Sequence, residues 1–99
     1  MKYPIIDLHC DLLSYLARVP NATIYKTEDI GAALPHLKAG HVKHQVLAIF
    51  TFTKKGSVEF AEQQVAAYEQ LIQGDDFYPI ITKQGAQKIT TSDQVGVTI

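Results

Sequence analysis

The residues most suggestive of chemistry lie near the start of the chain, in Ile5-Ile6-Asp7-Leu8-His9-Cys10-Asp11-Leu12-Leu13. If this stretch is extended, side chains alternate between faces. His9 and Asp11 then project from one face, with Asp7 one step deeper. An imidazole and a carboxylate presented side by side suit a divalent metal such as zinc. Cys10 would point the other way, which removes it as the nucleophile of a Cys–His pair. The same spacing also has a structural reading. Asp11 could N-cap a following helix, and His9 could be a hydrogen-bonded core histidine.

Other residues carry less. His41 and His44 are three apart, which on a strand means opposite faces. Lys54-Lys55-Gly56-Ser57 precedes a helical pattern and could receive a phosphate, but it lacks the full phosphate-loop pattern and reads as a solvated loop with an N-cap. Tyr68 sits on a helical apolar stripe and reads as core. Thr51 and Thr53 close a strand and are notable for position only. No Gly-x-Ser-x-Gly elbow and no dinucleotide glycine motif occurs.

The elements that must position these residues follow from periodicity. Ile5 to His9 reads as a strand, preceded by Pro4 and opened by a β-branched pair. Leu12 to Arg18 reads as a short helix closed by Pro20-Asn21, and Asn21 to Thr27 as a loop. Leu34 to Gly40 reads as a brief helix with proline in its first turn and glycine at its stop. Val42 to Thr51 is the clearest strand, because Val46 to Phe50 is a continuous apolar run of the kind buried in parallel sheets. Ser57 is the expected N-cap of a helix reaching about Gln73, with Ala61, Val65, Tyr68 and Ile72 as its apolar stripe. Phe77 to Gln87 is ambiguous between helical and extended. Val95 to Ile99 reads as a third strand. The order β-α-β-α-β predicts an α/β fold with parallel strands.

Size and composition bound the function. The chain has 99 residues, 46% apolar and 19% charged, which is ordinary globular composition. Nine Lys/Arg against ten Asp/Glu give a net charge of −1. The basic residues are scattered, and this argues against nucleic acid or an anionic membrane as partner. The single cysteine forbids an internal disulfide and suits a reducing compartment. Asp7, His9 and Asp11 interrupt any signal-peptide core, and no apolar run is long enough to span a membrane. The expected location is cytoplasmic.

The motif at Asp7-Leu8-His9-Cys10-Asp11-Leu12 resembles the N-terminal metal motif of the membrane dipeptidase family, in the amidohydrolase superfamily, which reads roughly Asp-Gly-His-Asn-Asp-Leu. Leu34-Pro35-His36-Leu37-Lys38-Ala39-Gly40-His41-Val42 is similar to the family's Leu-Pro-x-Leu-x-x-Gly-Gly-Val stretch before the second barrel strand, and Gln45 to Phe50 continues it. Gly96-Val97-Thr98-Ile99 looks like the strand leading to the family's bridging glutamate. The resemblance implies the N-terminal β-α-β-α-β portion of a (β/α)8 barrel, with residues 1–99 as a single partial domain. It implies a zinc-dependent dipeptidase in which two zinc ions activate a water against a dipeptide bond. His9 and Asp11 are the two zinc ligands it carries over. The family's glycine after the first Asp is replaced by Leu8. The bridging glutamate and the later ligands are not among these residues, so the 99 residues alone are expected to be inactive. The alternatives are a non-catalytic fragment that acts through association and could form a homo-oligomer, or a small self-contained α/β association or binding module.

Overall fold

A computed structural model describes residues 3–99. Its first strand, β1, runs Ile5–Asp7 and stops two residues before the expected end at His9. The cause is local. The Asp7 carboxylate accepts the His9 backbone N–H at 3.1 Å, a turn in which a side chain stands in for the ladder partner. His9 and Asp11 therefore lie on a loop rather than on a strand. Helix α1, Leu12–Arg18, has the expected bounds. Leu12 and Leu13 are fully buried and anchor it. It ends where Val19 turns extended ahead of Pro20.

Helix α2, Leu34–Ala39, carries Pro35 in its first turn and closes on Gly40. Strand β2 is Val42–Val46, shorter than the expected 42–51. Beyond it, Leu47 still donates to Thr98 and Ala48 to Cys10. With β1 already ended, the chain then leaves the ladder. Helix α3, Ser57–Leu71, is capped by Gly56 and not by Ser57. Gly56 has φ 93, a left-handed conformation that glycine adopts without strain. The expected stripe is displaced as well. The one residue of α3 that is completely buried is Gln64, while Ala67, Tyr68, Leu71 and Ile72 pack against the core.

The ambiguous stretch contains strand β3, Phe77–Pro79, and helix α4, Lys83–Lys88, whose Thr82 cap accepts from Gly85 at 3.0 Å. Strand β4 is Val95–Thr98. All four strands are parallel, in the order β1-β2-β4-β3. Pro79 is tolerated because β3 lies at the edge of the sheet. The fold class is the α/β expected. β1, β2 and β4 stand side by side, as the first three strands of a barrel would, and β3 is an added edge.

One sheet face meets the main core of Leu12, Leu13, Leu34, Leu37, Leu47, Phe77, Val95 and Val97. The other face is partly covered by Ile80 and by Ile89 in the turn after α4, which close over Gly96. Gly96 lies between Val95 and Val97, so its Cβ position points away from their core. The placement follows from handedness. The step from β3 back to β4 reverses direction across the sheet, so a right-handed crossover puts α4 on the opposite face.

Candidate metal centre

The loop between β1 and α1 is fixed at both ends. Asp7 holds the His9 N–H, and the Cys10 carbonyl accepts from Ala48 at 3.0 Å. On the far side, the Asp11 carbonyl accepts from the Tyr15 backbone at 3.2 Å and the Ser14 hydroxyl at 3.0 Å. Asp11 thus begins α1 with its main chain. Its carboxylate makes no capping bond, so the structural reading of Asp11 as a side-chain cap does not hold. Nor is His9 a core residue, because its side chain is 67% exposed.

The two side chains come together on the loop. His9 Nε2 lies 3.4 Å from Asp11 Oδ2. That is long for a charge-assisted N–H···O bond, which favours about 2.7–2.9 Å. It matches the separation of two ligands on one tetrahedral ion, about 3.3–3.5 Å for Zn–N and Zn–O bonds of about 2.0–2.2 Å. As an exposed ion pair the contact would add little stability. The donor set fits zinc in type and spacing, but supplies two ligands where a zinc site uses at least three from protein. Among the described residues, no group of three or more His, Cys, Asp or Glu is placed to hold a metal. Cys10 adds no ligand in its present state. It packs against the core, and burial pushes its thiol above the usual range, with Asp7 and Asp11 adding to the effect against a Leu12 backbone hydrogen bond. The neutral thiol is a poor nucleophile and a poor ligand.

The remaining histidines have other partners or places. His36 pairs with the Thr27 carbonyl at 3.0 Å. His41 takes a left-handed backbone, φ 60. His44 Nε2 lies 2.8 Å from Thr98 Oγ1, whose own proton goes to the Ile80 carbonyl at 2.9 Å. Thr98 can then only accept, so His44 Nε2 donates. Burial lowers the His44 pKa and supports this neutral form. Thr51 and Thr53 lie on the loop after β2, not in a strand.

Gln64 escaped the sequence reading. Its amide oxygen accepts the Phe50 N–H at 3.0 Å, and its amide nitrogen donates to the Phe50 carbonyl at 2.7 Å. It thereby pins the loop that faces Asp11 across a cavity. No pattern marks it, since a glutamine within a helix ordinarily reads as solvent-facing.

The sequence profile of the membrane dipeptidase family, peptidase family M19, matches residues 1–99. The chain belongs to this family. No curated protein and no solved structure matches it. Membership of the membrane dipeptidases places the chain among hydrolases that act on dipeptides and are generally metal-dependent. Among the described residues, the loop bearing His9 and Asp11 brings two side chains of metal-ligating type together. No described helix is long and apolar enough to cross a membrane.

Proposed function

We propose that this chain contributes the first strands and the first metal-binding loop of a zinc-dependent dipeptidase built on a (β/α)8 barrel. The observation that carries this is the 3.4 Å approach of His9 Nε2 to Asp11 Oδ2 on a loop at the C-terminal end of a parallel strand. Active sites of such barrels lie at that end. His9 and Asp11 would hold one zinc, with further ligands from elsewhere in the enzyme. Bound zinc polarises a carbonyl and supplies hydroxide near neutral pH.

The chain's own residues prepare this. Asp7 orients the loop through the His9 backbone, leaving the imidazole free. Asp11 spends its carbonyl on α1 and keeps its carboxylate. Leu12 and Leu13 lock the helix start beneath it. Dipeptides are the substrates, two zinc ions are the complement of the complete enzyme, and the cytoplasm is its location.

Zinc titration followed through the imidazole NMR signals tests the ligand roles. His9 is expected to shift while His36, His41 and His44 do not. His9→Ala and Asp11→Ala should each weaken zinc binding about 10-fold or more, and abolish dipeptide hydrolysis in the complete enzyme. Unchanged zinc stoichiometry and hydrolysis in both variants would overturn the assignment.

A further inference from the structure

Two adjoining cavities of about 390 Å³ each run from the candidate metal loop along α1. The first has Asp11 and Ser14 at one end and Phe50, Phe52, Phe60 and Arg18 beyond. The second shares Arg18, Phe52 and Phe60 and adds Lys54 and Lys55. Together they form one groove. It begins at a metal-suited carboxylate, passes between aromatic rings and ends in three cations. No acidic side chain lines the cationic half. Lys54 stacks over the Phe52 ring at 5.5 Å. Arg18, Lys54 and Lys55 are in no ion pair among the described residues. Three exposed cations lining one cavity with no carboxylate in its wall give a local positive field that favours an anion.

We propose that this groove receives the residue following the scissile bond, and that Arg18 and Lys54 select an acidic side chain there. The inference rests on the dipeptidase reading for its direction, with the scissile carbonyl at the Asp11 end. Arg18 lies seven residues beyond Asp11, about 10 Å along the helix. Helical side chains lean toward the N-terminus, so the guanidinium reaches back along the groove. One extended residue spans about 3.5 Å. The α-carboxylate of a dipeptide therefore stops near the first cavity, while an aspartate or glutamate side chain extends toward the cations. Phe50, Phe52 and Phe60 offer apolar surface to the methylene groups of such a side chain along the way.

The test is a ¹⁵N NMR titration of the zinc-free chain at low salt with Ala-Glu and, separately, Ala-Gln. Ala-Glu is expected to bind at least about 10-fold more tightly, shifting the Arg18 side-chain N–H and the backbone of residues 52–60. Added salt should shrink the difference. Arg18→Gln and Lys54→Gln replace exposed side chains, and should erase the preference by bringing Ala-Glu affinity down to that of Ala-Gln. Equal affinities for the two dipeptides would overturn the proposal. So would inorganic phosphate shifting the same amides as strongly as Ala-Glu, because the cluster would then be a general anion site. The dipeptidase reading fails separately. If the complete zinc enzyme hydrolyses neither dipeptide but the binding preference holds, only the activity is wrong. If it hydrolyses both equally and the preference is absent, only the present inference falls.

Discussion

Gln64 and Gln45 are both completely buried, and their amides do opposite things. Gln64 satisfies both backbone groups of Phe50. Gln45 donates to Val46 at 3.1 Å and weakly to Asp7 at 3.4 Å, and its Oε1 has no partner. Removing one partner of a buried hydrogen bond costs about 1–3 kcal/mol for the group left behind, whereas removing a side chain that already carries an unpaired buried oxygen also removes that oxygen's penalty. Gln64→Leu is therefore expected to destabilise the fold by about 2–3 kcal/mol, and Gln45→Met to stay within about 1 kcal/mol, both read from denaturant midpoints. Equal losses would show that the Phe50 clamp is not what Gln64 supplies. The His9–Asp11 pair was legible because a two-residue spacing brings the side chains together on a tight loop as well as on a strand. Gln64 was not legible, because its partner is a backbone segment fourteen residues away in sequence.

At the scale of elements, Gly96 shows how tightly the segments flanking α4 are fitted to the sheet. A Cβ there would stand 2.2 Å from Ile80 Cδ1 and 3.0 Å from Ile89 Cγ1. Gly96→Ala is expected to cost about 1–3 kcal/mol through overpacking. Ile80→Val removes the nearest atom, so the double variant should be more stable than the sum of the two single losses, by about 0.5 kcal/mol or more. Thermal unfolding of the four proteins checks this; strict additivity would mean that the two residues do not press on each other. The bounds of α1 could be read because buried leucines and Pro20 mark its two ends. The end of β2 could not, since the apolar run continues after its partner strand has turned away. β3 was hidden because a three-residue strand containing Pro79 has too little pattern to distinguish it from a turn.

At the scale of the whole molecule, β1 is the exposed edge. Ile5, Ile6 and Leu8 are 47%, 64% and 75% exposed, and an unpaired apolar strand edge invites pairing with another chain. Self-association that rises with concentration is expected for the isolated chain. Ile6→Lys should shift it toward monomer in sedimentation velocity, and an unchanged distribution would point to a different contact. Composition gave no sign of this edge, because it shows how much apolar surface exists and not which part stays uncovered. The sheet order has a kinetic consequence. Every strand pair is parallel, and each joins segments far apart in the chain: Ile6 with His44, His44 with Gly96, Tyr78 with Gly96. No hairpin can form early, and each pairing must close a long loop before any ladder bond rewards it. High contact order of this kind places folding in the slower range of small domains, milliseconds to seconds. The Cys10–Ala48 bond that secures the metal-suited loop forms only once β2 has docked beside β1. The loop that carries His9 and Asp11 thus gains its long-range anchor late, after the sheet, while its local turn at Asp7 can form beforehand.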